Sequence, residues 1–357
     1  MTKQYILISV IAIFMLESCE EAPGIKAVNS TSVLNGWEIT KSTHDIDMNS
    51  RDLFFINSET GFVVGFNGDI YKTIDSGVSW QKQNSGTTLH LYSVYFLNQN
   101  VGFASGQAMS GCLGDDCDKG SVFLKTTDGG ETWTKTFFKD YVRIKSLHFF
   151  NESRGLALIY TPDIPNSRDL HIAKTDNGGD TWEFIDLAIK PSYNKFFCVD
   201  DVVFIAGENQ KIFKSTNFGD NWETINTPIP AWNDVRNIYF YNESIGFVDG
   251  VTNLHKTIDG GLSWETIDFP FSSFDVVHFF NETEGFNIEK VSQYEGGEIP
   301  TFKGSQSFQT SNGGETWIQS DLNKSLSLGL TYFPQRDLGY GVNFPAFYVI
   351  KKEMTIK

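Results

Sequence analysis

Thr73-Ile-Asp75-Ser-Gly77-Val-Ser-Trp80 fixes the architecture, because the chain returns to it five more times. Written as [Ser/Thr]-x-[Asp/Asn]-x-Gly-x-[Ser/Thr/Asn]-Trp, the pattern recurs at 126–133, 175–182, 215–222, 257–264 and 310–317. Its acidic or amide position holds Asp75, Asp128, Asn177, Asn217, Asp259 and Asn312, and it closes on Trp80, Trp133, Trp182, Trp222, Trp264 and Trp317. The residue types describe a hairpin. An Asp or Asn side chain accepts hydrogen bonds from the N–H groups of its own turn. The Gly supplies a left-handed backbone. The Trp opens the next strand and buries its ring. Apolar residues upstream (Ile70, Phe123, Ile172, Ile212, Leu254, Phe308) mark the strand entering each turn.

A second motif precedes the hairpins. Phe-x-[Asn/Gln]-x-x-x-Gly runs from Phe55 to Gly61, Phe96 to Gly102, Phe149 to Gly155, Phe240 to Gly246, Phe279 to Gly285 and Phe333 to Gly339. A shortened copy spans Cys198 to Gly207. Alternating apolar residues flank both ends, so each repeat holds four strands, and the first motif joins the third to the fourth. Counting from Trp37, successive repeat tryptophans lie 40 to 53 residues apart, the period of a propeller blade. Trp37 has no hairpin before it, and Leu330 to Lys352 supplies three strands with no closing Trp. The two ends complete one another. The expected fold is therefore all-β: a seven-bladed β-propeller over 35–352, closed by an N-terminal strand.

The first residues read differently. An apolar run from Tyr5 to Leu16 is the length of a signal-peptide core and too short to span a bilayer. Leu16-Glu-Ser-Cys19 resembles a bacterial lipobox. That resemblance implies a signal peptide over 1–18, lipidation of Cys19, a polar tether over 19–34 and membrane attachment through the lipid alone. It sets the protein on the periplasmic side or the surface of a bacterial envelope, at the outer membrane. An ordinary secretory signal is the second reading. Outside the cytoplasm, Cys112 and Cys117 read as a small disulfide loop and Cys198 as a buried free thiol. Residues 353–357 form a tail. A net charge of −16 argues against nucleic acid as partner.

The first motif resembles that of the BNR or Asp-box propeller superfamily, which includes sialidases, xyloglucanases and sortilin-type receptor domains. The layout over 35–352 is most similar to the photosystem II stability/assembly factor family. The resemblance implies a scaffold that binds a protein or peptide, using an arginine patch on one face. Here the chain departs from the family, having only six Arg. Nothing in it implies photosynthesis.

Asp boxes all join third to fourth strands, so they share one face of the disc. The opposite face is the expected binding face. Long insertions at 106–120, 160–170 and 289–306 fall in second-to-third connections on that side. Positions four before the repeat Phe start the first strand near the channel mouth. Among them Arg51, Tyr92, Lys145, Arg236 and Asp275 are candidate contacts. Trp232 and Tyr193, in the connections between blades, add aromatic surface for a sugar, a peptide or a protein hot spot; Trp232 as a channel plug is the alternative.

Two other function classes stay open. A sialidase-like glycoside hydrolase would draw on Arg51 and Arg236 with Arg143, Arg168 or Arg336, and on two carboxylates among Asp234, Asp275, Glu295 and Glu298. A carbohydrate-binding lipoprotein would use Trp232 or Tyr193 without hydrolysis. No catalytic residue, metal or cofactor is assigned. His148 and His278 share the repeat position of Phe54, Tyr95, Tyr239 and Tyr332, which reads as packing. Asp115, Asp116 and Asp118 leave a calcium loop open.

Overall fold

The computed structural model describes residues 31–34, 37–42, 49–108, 116, 120–138, 143–160, 170–185, 191–199, 201–230, 233, 235–250, 253–270, 276–293, 301–320, 330–343 and 346–352. Six four-stranded antiparallel sheets follow in chain order, as blades 1 (50–83), 2 (90–138), 3 (143–185), 4 (191–226), 5 (237–267) and 6 (276–320). Blade 7 takes three strands from 330–352 and two from the N-terminus. Trp37–Lys41 pairs with Ala346–Lys352, Trp37 opposite Lys352 and Ile39 opposite Ile350. The ring closes as the sequence implies, with one correction. Thr31–Leu34, within the expected tether, forms a fifth strand on Trp37–Lys41. Its Thr-Ser-Val-Leu run suits an added strand.

Each Asp box sits between the third and fourth strands. Asp75 Oδ1 accepts from the Ser79 N–H at 2.8 Å and from the Thr73 hydroxyl at 2.7 Å, while Thr73 Oγ1 accepts from the Gly77 N–H at 2.9 Å. Asn177, Asn217 and Asn312 accept the same N–H bond at 2.9–3.0 Å, which is why Asp and Asn interchange here. Two successive residues are left-handed, not one. Ser76, Gly129, Gly178, Phe218, Gly260 and Gly313 have φ of 60–72° immediately before the motif Gly. The tryptophans lie one residue before the fourth strand, and Trp133 Nε1–H donates to Gly130 O at 3.1 Å.

The second motif has an equally local cause. Phe55 faces Gly61 across the first two strands, and a Cβ on Gly61 would lie 2.6 Å from the Phe55 ring. The ring lies on bare backbone, which only Gly permits. Asn57 Oδ1 holds the turn by accepting from the Glu59 and Thr60 N–H groups at 2.8 Å. In blade 4 the pair is inverted in size: Cys198 faces Val203. That accounts for the shortened repeat and for Cys198, a free thiol in the place of the ring.

Blades join through these rings. The residue after the motif Gly stacks on the repeat Phe of the next blade: Phe62 on Phe96 at 4.0 Å, Phe103 on Phe149 at 3.7 Å, Phe247 on Phe279 at 4.9 Å. Tyr340 on Phe55, at 3.7 Å, closes the circle. Each pair contributes about 0.5–1.5 kcal/mol beyond its burial. Lysines one residue before the box add a second belt. Lys72 reaches Glu131 of blade 2 at 2.8 Å, and Lys174 bonds Asp220 of blade 4. Lys125, Lys214 and Lys256 reach the next box at 3.5, 3.4 and 4.0 Å. Blade 6 carries Gln309 in that register, and blade 7 has no box to meet.

The box Gly presses on the preceding blade. Gly130 has φ of +86°, and a Cβ there would lie 2.7 Å from Phe62. Gly130→Ala combines left-handed strain with an overpacked seam, and urea denaturation should show a loss of roughly 2–4 kcal/mol. Gly86→Ala, at φ of +69° with open space around it, should lose about 1 kcal/mol and serves as the control. Equal losses would contradict the seam contact.

Candidate binding face

From blade 7 round to blade 5 the first strands of neighbouring blades touch one another, so they line the centre of the ring. The residue before each repeat Phe builds a belt there. Tyr332 and Phe54 lie 4.7 Å apart, Phe54 and Tyr95 5.2 Å, Tyr95 and His148 5.0 Å, and Phe197 and Tyr239 5.2 Å. Tyr95 OH donates to Phe149 O at 2.9 Å, and Tyr239 OH accepts from the Phe279 N–H at 3.0 Å. His278 stacks on Phe333 at 3.8 Å, with Nε2 3.0 Å from Arg336 O. Burial raises the hydroxyl pKa of Tyr95 and Tyr332, and Tyr239 is pushed up to about 12. Desolvation lowers both imidazoles, His148 and His278, to about 4. They pack as the repeat position implied.

Towards the face opposite the boxes, a register feature interrupts the first strands. Strand pairing slips between Ser50 and Asp52, between Leu91 and Ser93, and between Ile144 and Ser146. The residues left over are Arg51, Tyr92 and Lys145. All three are the extra residue of a β-bulge, which breaks the alternation and re-aims the chain. This explains why a position inside a strand is polar in one repeat and aromatic in the next.

The bulges bring Arg51 and Tyr92 together. The Arg51 guanidinium lies 4.3 Å over the Phe66 ring and 5.8 Å from the Tyr92 ring. Phe66 also stacks on His90 at 4.4 Å. His90 Nδ1 accepts from the Asn67 N–H at 3.0 Å, and Asn67 is itself left-handed, φ 57°. Desolvation, and then the Arg51 charge, lower the His90 pKa, so the ring beside Arg51 stays neutral. Arg51 is exposed and has no carboxylate partner among the described residues. Phe66, Asn67 and His90 are functional candidates that the sequence pattern did not single out. Their signal was the Phe-Asn-Gly turn directly after a strand end.

The remaining candidates are dispersed. Arg236 is exposed, its N–H donating to Asp249 O at 2.9 Å, in blade 5 and away from Arg51 in the chain of blades. Tyr193 lies in the first strand of blade 4, Pro191–Val199, where pairing is irregular between Pro191 and Phe196. Trp232, Asp275, Asp234, Glu295, Glu298, Cys19, Cys112 and Cys117 lie outside the described residues. Of the expected loops, 289–306 is corrected. The second and third strands of blade 6 extend as Gly285–Gln293 and Thr301–Thr310, pairing from Glu289 opposite Gln306 to Gln293 opposite Thr301. Asp116 accepts from Lys135 Nζ at 3.1 and 3.2 Å, and that ammonium also reaches Gly86 O at 2.7 Å. Among the described residues no three His, Cys, Asp or Glu side chains converge as a metal site.

No family model and no curated protein sequence matches this chain. Solved structures share the fold. YCF48 bound to D1 peptide aligns with a TM-score of 0.65 at 16% identity, over 92% of this chain and 99% of that one. YCF48 from Cyanidioschyzon merolae aligns at 0.59 and 14%, over 88% and 98%. A GH74 enzyme from Niastella koreensis aligns at 0.57 and 16%, over 87% of this chain and 52% of that one. At these identities the likeness is one of fold.

The two central histidines give a pH dependence. Unfolded His titrates near 6.5, whereas folded His148 and His278 titrate at about 4. The unfolded chain therefore binds more protons between these values. The stability is complete above about pH 6.5 and is lost as pH falls towards 4. A His148→Phe/His278→Phe variant, which copies Phe54 and Phe197 of the same belt, should keep more of its urea midpoint between pH 7 and pH 4.5 than the parent. Parallel loss in both would show that these rings are not the acid-sensitive element.

Proposed function

We propose that this chain is a binding or assembly propeller that recognises a protein or peptide partner through the face opposite its Asp boxes. The observation carrying the reading is the Arg51 cluster. A guanidinium free of ion pairs among the described residues stands over Phe66 and beside Tyr92, on residues re-aimed by bulges in a rigid ring. Arg and Tyr on a pre-formed platform are the residue types that dominate protein interfaces. A guanidinium held by rings loses little freedom on meeting a carboxylate or backbone carbonyl. The central belt of rings favours a ligand that lies across the face over one threaded through the middle. The fold likeness to a propeller solved with a bound peptide agrees.

The same proposal takes Cys19 as a lipidated N-terminus after removal of 1–18, holding the propeller on the extracytoplasmic side of a bacterial envelope. The disc would then stand off the membrane on the short segment before Thr31. Its function is non-catalytic in this reading. Glycoside hydrolysis or sugar binding at the same face is the competing reading, supported by a fold shared with a GH74 enzyme.

The test is capture from detergent-solubilised membranes of the native host with the tagged full chain. A partner recovered with the parent should fall by about tenfold or more with Arg51→Ala/Tyr92→Ala, the loss expected of a hot spot of roughly 1.4 kcal/mol or more. Thermal unfolding should be unchanged. Retention of the same partner by the variant would contradict the assigned face. Release of reducing sugar from xyloglucan or sialosides by the parent would replace binding with hydrolysis.

A further inference from the structure

We propose that the rim groove between blades 5 and 6 docks an extended peptide segment carrying basic residues three apart with an apolar residue between them. This groove lies on the outer edge of the disc, and the inference does not depend on the Arg51 cluster. It holds about 640 Å³ and is lined by residues 265–270 of blade 5 and by Glu315, Thr316 and Trp317 of the blade 6 box.

Three observations converge on it. The first is a free edge. Glu265–Ile267 is the last strand of its sheet and pairs on one side only, with Leu254–Thr257. Its outer side therefore presents a strand edge that an extended segment can extend by hydrogen bonding. The second is an apolar floor. Ile267 and Trp317 belong to one cluster spanning the two blades, with Phe269 packed against it. Ile318, next to Trp317, is 71% exposed. The third is charge. Glu265, Asp268 and Glu315 are all exposed around that floor. Glu265 and Asp268 make no ion pair among the described residues; Lys256, opposite Glu265 in the sheet, contacts Glu315 at 4.0 Å, so three carboxylates share one ammonium.

Strand alternation turns these into a ligand pattern. Residues two apart in a strand share a face, and residues directly opposite each other across a pair share one too. Glu265 lies on the same side as Ile267, which faces blade 6; Asp268 is the first residue after the strand. An added antiparallel strand would meet Asp268, Ile267, Thr266 and Glu265 in turn. It therefore calls for basic, apolar, any, basic. The carboxylates discriminate against acidic segments by repulsion, in line with the net charge of −16.

The probe is a fluorescein-labelled heptapeptide, Thr-Lys-Val-Thr-Lys-Val-Thr, with its Glu-for-Lys counterpart as control. Anisotropy titration of the full chain in 50 mM salt should show the lysine peptide binding at least tenfold more tightly than the glutamate peptide. Glu265→Lys/Asp268→Lys should reverse that preference, and both substitutions are on exposed side chains. Hydrogen exchange with the lysine peptide should slow at 265–270. Arg51→Ala should leave the titration unchanged. Equal binding of both peptides, no binding up to 1 mM, protection confined to other residues, or loss with Arg51→Ala would overturn the proposal. A dimer of the unliganded chain in sedimentation that Glu265→Lys/Asp268→Lys dissolves would also overturn it, assigning the groove to a second copy.

Discussion

An aromatic ring laid on bare glycine backbone is the contact on which this molecule depends. It recurs within the blades and again between them, except that the box glycines of blades 4 and 5 meet Leu156 and Ile225 instead of a ring. Within a blade, the ring of Phe55 or Phe149 covers the Gly across the first hairpin. Between blades, the box Gly approaches the ring of the blade before it, as Gly130 does Phe62 and Gly179 does Phe123. Neither contact tolerates a Cβ, and both fix a distance between backbones. Repeated around most of the ring, with Tyr340 on Phe55 as the last link, they set a closed circle of packed seams. The Asp boxes and their lysine reach-overs then tie the rim of one face.

That construction leaves the other face free to vary. Its first strands in blades 1 to 3 enter the ring through bulges, and the extra residue at each bulge is released from the packing pattern. Arg51 and Tyr92 occupy such positions in adjacent blades, so a loop residue (Phe66) and two strand residues meet on a rigid base. The platform is cationic in a strongly acidic chain, so its charge is local and directed. Neutral His90 adds a flat ring beside Arg51 without adding repulsion.

Most of the fold was legible because the repeat is enforced by local chemistry. Asp75, Gly77 and Trp80 each answer a need of their own hairpin, so they recur wherever that hairpin does. The closure by Trp37–Lys41 was legible from a leftover strand at each end. Thr31–Leu34 was not: an added edge strand needs no box and no glycine, only extended backbone. The lysine before each box was in plain view, yet its purpose lies in the next blade and shows only in three dimensions. The candidate face was half legible. Arg51 and Tyr92 stood out as polar and aromatic residues at one repeat position, but the bulge that joins them to Phe66 depends on register, which side-chain pattern does not carry. Blade 4 illustrates the same limit: Cys198 opposite Val203 preserves the volume of a Phe over a Gly while erasing the motif.

If partners meet the face opposite the Asp boxes, the two faces should differ in what they touch in the cell. Site-specific photo-crosslinking in the native host reads this, with the crosslinker placed at Arg51 on one face or at Ile74, 69% exposed, in the first Asp box on the other. A discrete adduct of defined mass is expected from position 51 and none from position 74. An adduct from position 74 alone would contradict the assignment of the working face, and would make the boxes themselves the binding surface.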